Sequence, residues 1–198
     1  HRHDRDQREG AAPGAFDQRE RPFTGNMQTG FFGSKPPYLP LKARPDILVY
    51  QTAPLESDVT VAGPIRVHLF ASSTAVDTDF TAKLVDVYPP NAAFPDGVDL
   101  NVADGIVRAR YRNNLDHEEL LKPGQPYEFT IEMYPTSLVF QHGHRIRLDI
   151  SSSNFPRFDV NPNSAEPLND NRRWQVATNT VYSDAAHPSQ IVLPVIPK

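Results

Sequence analysis

Three groups of residues carry types and spacings that can do chemistry. Ser151-Ser152-Ser153 offers three hydroxyls in a row. A serine nucleophile, however, needs a sharp strand-to-helix turn flanked by small residues, usually Gly-x-Ser-x-Gly. No such string exists here. The serines read instead as small polar residues hydrogen-bonding neighbouring backbone at a sheet edge. His142-Gly143-His144 places two imidazoles one residue apart. In an extended strand both would lie on one face and could hold a metal, as the His-x-His pair of cupins does. A third ligand at close spacing is missing, and Gly143 favours a tight turn carrying polar side chains. Asp159-x-Asn161-x-Asn163 opens like a calcium loop, but Ser164 stands where the turn needs Gly and Asp170 where the bidentate Glu belongs.

Charged residues suggest a fourth group. Asp77 and Asp79 bracket Thr78, and Arg108, Arg110 and Arg112 alternate along Ile106 to Arg112. Paired carboxylates can act as acid and base, and an arginine stripe can bind an anion. The simpler expectation is cross-strand ion pairing of these arginines with Asp77, Asp79 or Asp86. Trp174 is the only Trp and reads as a core or interface residue. No catalytic residue, cofactor or metal ligand is assigned.

The elements that would position these groups are strands. The 198 residues include 20 Pro and 10 Gly, and proline is excluded from helix interiors and central strands. Ile47 to Tyr50 is a short strand. Val59 to Phe70 is a longer one, broken at Gly63-Pro64, with Ile65, Val67 and Leu69 on one face. Phe80 to Tyr88, Ile106 to Arg112, Tyr127 to Tyr134, Arg145 to Ile150 and Ile191 to Leu193 follow, with a turn at Asp96-Gly97. Only Leu115 to Leu121 is short-range compatible with a helix. Many short strands with turn-rich joins predict an all-β sandwich or barrel.

Domain organisation divides at residue 45. Residues 1–45 read as an irregular segment and residues 46–198 as the sandwich. The irregular part carries Phe23, Phe31, Phe32 and Tyr38 without strand periodicity. Four aromatics in one loop would make a costly exposed patch, so the loop is expected to dock on a neighbouring domain or subunit. The chain starts at His1 with its first Met at position 27, which reads as one piece of a longer polypeptide.

Bulk composition excludes several classes. A net charge of −4 from 20 basic and 24 acidic residues does not suit nucleic acid or an anionic membrane. The absence of Cys removes disulfides, thiolate nucleophiles and cysteine metal sites. No apolar run approaches the roughly 20 residues of a membrane-spanning helix.

Longer strings carry more information. Asp77 to Pro89 (DTDFTAKLVDVYP), Ala103 to Arg112 (ADGIVRARYR), Gly143 to Phe158 (GHRIRLDISSSNFPRF) and His187 to Ile196 (HPSQIVLPVI) occur in that order. Phe16-Asp-Gln-Arg19 and Arg44-Pro-Asp-Ile-Leu-Val-Tyr50 precede them. As a set they resemble the C-terminal region of CocE/NonD hydrolases, which include cocaine esterase, α-amino acid ester hydrolases and some acylases, and are related to the C-terminal domain of X-prolyl dipeptidyl-peptidases. Arg21 to Leu41 departs from the pattern, because the family passes more directly between those two motifs.

The resemblance implies a jelly-roll β-sandwich, similar to galactose-binding domains, that packs on an α/β-hydrolase domain and a helical cap. It also implies that the catalytic triad lies upstream of this chain. The expected partner is therefore an α/β-hydrolase catalytic domain, in the same polypeptide or as a separate chain, with a homo-oligomer as a further expectation. The competing reading is a free-standing jelly roll that binds carbohydrate or another ligand.

Overall fold

The computed structural model describes residues 3–4, 41–155, 157–168 and 173–197. Two antiparallel sheets face each other. The strands are β1 (His3–Asp4), β2 (Leu48–Gln51), β3 (Val59–Ser73), β4 (Asp79–Tyr88), β5 (Val98–Arg108), β6 (Tyr127–Phe140), β7 (Arg145–Ser151), β8 (Asn179–Tyr182) and β9 (Gln190–Val192). One sheet has the order β1-β8-β3-β6, with β9 also pairing β3, and the other has the order β2-β7-β4-β5. The chain passes between sheets at β2–β3, β3–β4, β5–β6, β6–β7 and β7–β8. This is an all-β sandwich, as its residue pattern predicts.

Alternation explains the core. On β3, Val61, Ile65, Val67, Leu69 and Ala71 are buried, while Arg66 and His68 point away. On β4, Phe80, Ala82 and Leu84 face them, with Ile150 of β7 and Leu48 of β2 beside. The Phe80 and Phe129 rings meet across the sheets at 4.7 Å between centroids. Successive side chains of a strand point to opposite faces, so period-2 apolar residues build one continuous inner layer.

A bulge interrupts this period where two prolines oppose each other. Gly63 pairs with Thr136 and Ile65 with Met133, so Tyr134 and Pro135 together face Pro64. Proline cannot donate to a ladder, and a bulge is where that loss is tolerated. The extra residue switches the parity of β6. Phe129, Ile131 and Met133 face inward before the bulge, and Leu138 and Phe140 after it.

Several expectations are corrected. Strand β5 begins at Val98, well before Ile106, and ends at Arg108, where Ala109–Tyr111 turns into a 3-10 helix. Arg108, Arg110 and Arg112 therefore do not form one stripe. Leu115 to Leu121 is not helical but a run of bends held by loop hydrogen bonds, including Leu121 N–H to Val76 O at 2.8 Å. Strand β8 carries too little alternation in four residues to be read from sequence.

Candidate functional site

A dense polar cluster lies at the end of the sandwich where the β3–β4, β5–β6 and β7–β8 connections meet. Asp79 and Arg108 are register partners on β4 and β5. Their contact is bidentate, with Arg108 Nε 2.9 Å from Oδ1 and Nη2 3.0 Å from Oδ2. One step beyond the ladder, Arg110 Nε donates to Asp77 Oδ2 at 2.7 Å, and its backbone N–H donates to Asp77 Oδ1 at 2.9 Å. Asn161 bridges the two carboxylates, donating to Asp77 Oδ2 at 3.0 Å and to Asp79 Oδ1 at 2.7 Å. Burial raises the Asp79 carboxyl above its usual range, against the opposing pull of Arg108.

This arrangement decides how the charged motifs are used. Asp77 and Asp79 are fully buried and face arginines and an amide rather than an open cleft. Arg110 is spent entirely inside the protein, reaching Ser164 O at 2.6 Å, Glu166 O at 3.1 Å and Glu118 Oε2 at 3.3 Å. Arg112 lies over the Tyr127 ring, 4.5 Å from its centroid. The expected ion pairing holds for Asp77 and Asp79. Asp86 differs: its partner is His144.

The Asp159 loop is likewise structural. Asn161 serves the two aspartates, and Asn163 adopts a left-handed φ of 62° while its backbone N–H donates to Asn161 Oδ1 at 2.9 Å. Asn163 Nδ2 donates to Gln175 O at 2.8 Å, which ties this loop to the next. Among the described residues, no three His, Asp or Glu side chains gather as a metal site would require.

The histidine pair is split by its turn. Gly143 has φ of 83°, the left-handed region that glycine enters freely. His142 is exposed, whereas His144 is buried, with Nδ1 2.9 Å from Asp86 Oδ1 and its ring 4.2 Å from that of Tyr88. Burial raises the Asp86 carboxyl, and His144 partly offsets the rise. The other oxygen, Asp86 Oδ2, is buried with no hydrogen-bond partner. The pattern expected a turn with polar side chains. The turn is present, and one of its histidines is an internal residue.

The serine hydroxyls are engaged with neighbouring hydroxyl, amide and backbone groups. Ser151 Oγ lies 2.7 Å from Thr81 Oγ1 and donates to Ser153 O at 3.0 Å. Ser152 Oγ accepts from Asn179 at 2.7 Å. The position differs from the expected sheet edge, because β7 runs between β2 and β4. A small pocket lined by Phe80, Ser151, Ser152 and Asn179 sits between the sheets and is of water size.

Sequence reading missed a second polar layer on the outer face of β4. Lys83 donates to Asn154 Oδ1 at 2.8 Å and lies 3.5 Å from Asp104, which also contacts Arg157. Arg147 holds Asp149 through Nε at 3.0 Å and Nη2 at 3.2 Å, and reaches Asp99 at 2.6 Å. Burial raises the Asp149 carboxyl, with Arg147 opposing the rise. Alternation of Lys83 and Asp149 with apolar neighbours marks an outward face. It does not reveal that this face is covered.

Trp174 is half exposed, so it is not a core residue. Phe23, Phe31, Phe32 and Tyr38 lie outside the described residues.

Comparisons with known proteins identify the family. Residues 2–192 match the family described as the X-Pro dipeptidyl-peptidase C-terminal non-catalytic domain. The chain is 46% identical over 159 residues to cocaine esterase of Rhodococcus sp. (strain MB1 Bresler), covering 79% of this chain and 27% of that protein. Among solved structures, an α-amino acid ester hydrolase superposes with a TM-score of 0.75 at 37% identity, over 79% of this chain and 26% of that one. An aminopeptidase from a marine sediment archaeon, Thaumarchaeota archaeon, superposes with a TM-score of 0.72 at 32% identity, over 78% and 26%. The chain thus spans about a quarter of the length of the relatives it matches. It belongs to the X-Pro dipeptidyl-peptidase C-terminal non-catalytic domain family, the β-sandwich module of CocE/NonD-type hydrolases.

Proposed function

We propose that this chain serves as the β-sandwich module of a serine ester or amide hydrolase, packs on that enzyme's α/β-hydrolase catalytic domain, and helps to shape the rim of its active site through Phe23, Phe31, Phe32 and Tyr38. The observation that carries this reading is the 46% identity to cocaine esterase over most of this chain but only 27% of that protein. The internal use of the charged and serine candidates supports it too. Asp77, Asp79, Arg108 and Arg110 satisfy one another, and the hydrogen bonds of Ser151, Ser152 and Ser153 involve no histidine or carboxylate.

The test compares this chain with the longer polypeptide that carries it, using a p-nitrophenyl ester. The isolated chain is expected to show no turnover above buffer, and the longer polypeptide to hydrolyse the ester. Turnover by the isolated chain that disappears on Ser151→Ala, Ser152→Ala or Ser153→Ala would overturn the reading.

A further inference from the structure

We propose that Asp86 and His144 form a proton-controlled latch at the end of the sandwich made by the β2–β3 and β6–β7 connections, closed while the imidazole carries a charge and released when it loses it. The inference goes beyond the reading above and does not depend on it.

Position is the first observation. Asp86 closes the inner row of β4, following Phe80, Ala82 and Leu84, and it is fully buried. Its register partners are Leu100 of β5 and Ile146 of β7, and the facing strands present Val59, Val61, Leu138 and Phe140. In this apolar surrounding, Oδ1 lies 2.9 Å from His144 Nδ1, and Oδ2 has no partner among the described residues. An ionised carboxylate offers about four acceptor sites, so one neutral N–H leaves most of its lost hydration unreplaced. An imidazolium supplies the compensating charge that a neutral imidazole lacks.

The second observation is what His144 holds. Its carbonyl accepts Leu55 N–H at 2.8 Å, and Gly143 N–H returns to Leu55 O at 2.9 Å. His142 N–H reaches Asp58 Oδ1 at 2.7 Å, and Thr52 N–H reaches Ile146 O at 3.0 Å. The β2–β3 connection is thus stitched to the β6–β7 turn around the buried pair. Water can reach Oδ2 only if these connections part.

The third observation is that few other titratable groups act on the pair. Tyr88 stacks on the imidazole at 4.2 Å, and burial together with the Asp86 charge pushes its phenol up, so it stays neutral. Glu56, Asp58 and His142 are exposed, and Arg145 is half-buried with its guanidinium on Thr52 O at 3.1 Å. Asp99 is held by Arg147 and Lys42 on the outer face of the sheet. The closed form therefore binds the shared proton more tightly than the open form, and rising pH favours opening. Histidine is the side chain whose charge ordinarily changes between about pH 5 and 8.

Hydrogen exchange of the longer polypeptide, read by mass spectrometry from about pH 5.5 to 8 and corrected for intrinsic rates, tests the latch. Protection of residues 52–58 and 141–146 is expected to fall about tenfold over that range, the change that one unit of differential proton affinity gives. Residues 65–69, at the centre of β3, should keep theirs. His144→Gln and Asp86→Asn should each abolish the fall, and His142→Gln, at the exposed neighbour, should leave it intact. A flat profile in the parent overturns the latch, as does a fall that survives in His144→Gln or disappears in His142→Gln. If His144→Gln or Asp86→Asn also strips protection from residues 65–69, and so disturbs the fold, the parent and His142→Gln profiles decide.

Discussion

Arg110 and Asp77 form a salt bridge in which neither side chain reaches solvent, at 1% and 0% exposure, with Nε 2.7 Å from Oδ2. Two residues from Asp77 along the chain, Asp79 holds Arg108 in the last rung of the β4–β5 ladder. The ladder and the loop cluster are thus joined through adjacent ion pairs and one shared amide, Asn161.

Breaking the inner pair should be costly. Asp77→Ala leaves a buried guanidinium without its carboxylate, and removing one partner of a buried pair typically costs about 3–5 kcal/mol. Urea denaturation should show that loss. Arg66→Ala, which removes an exposed pair on the five-stranded sheet, should cost about 1 kcal/mol or less. Equal losses at the two sites would contradict the structural role given to Arg110.

Two glycines should fail for different reasons. A Cβ on Gly105 would lie 2.2 Å from the Glu132 carbonyl oxygen, where β5 crosses close to β6. Gly105→Ala must push two backbones apart, and overpacking of this kind costs about 1–3 kcal/mol or more. Gly143→Ala meets no atom within 4 Å, and its penalty comes from φ of 83°, about 1–2 kcal/mol. Thermal denaturation should rank Gly105→Ala as the worse, and Gly143→Asn, which tolerates the left-handed region, as milder than Gly143→Ala. The opposite order would refute the close approach of β5 and β6.

The aromatic pair that joins the sheets sets the core. Phe80→Ala removes a ring that meets Phe129 at 4.7 Å and should cost about 3–5 kcal/mol. Phe80→Leu, which keeps most of the volume, should cost distinctly less in the same denaturation experiment.

Asp86 makes the protein's stability depend on pH with a definite sign. Its carboxyl is raised above the ordinary 3.8 chiefly by burial, so the folded state binds that proton more tightly than the unfolded state. The contribution of this group is therefore most favourable at low pH and declines as pH rises from about the unfolded value through the raised folded one. Asp86→Asn removes that slope. The stability of the variant relative to the parent should rise between pH 4 and pH 8, measured by urea denaturation at each pH. A relative stability that falls over this range would contradict the burial penalty.

The aromatic loop gives a functional prediction. Under the proposed rim role, Phe31→Ser with Phe32→Ser should leave the stability of the isolated chain unchanged within about 0.5 kcal/mol, as surface substitutions do. In the longer polypeptide the same change should raise KM for an ester substrate. Unfolding of the isolated variant, with normal kinetics in the longer polypeptide, would show the loop to be part of this sandwich's own core.

Much of the fold is legible in local pattern. Ile65, Val67 and Leu69 alternate with Arg66, His68 and Phe70, and that period alone identifies β3 and its inner face. Phe80, Ala82 and Leu84 do the same for β4, and the long strings from Asp77 to Ile196 carry the family resemblance that the comparisons bear out. The absence of a nucleophile elbow is equally a local fact. A period-2 pattern depends on neighbouring residues only, so the chain displays it before any partner strand is known.

What required the tertiary structure is whatever depends on a partner distant in sequence. Nothing near Pro135 shows that it faces Pro64, so the parity switch of β6 could not be read from its own residues. Arg108, Arg110 and Arg112 look alike as a stripe, yet the first ends a ladder, the second is buried under a loop from residues 161–166, and the third covers Tyr127. His144 looks like half of a metal pair until the β6–β7 turn brings it against Asp86, 58 positions away. Residue types and spacing therefore determined most of the strands and the family. Folding alone decided which charges are buried and what each one holds, because the stability of a buried charge depends on the partner that replaces its water.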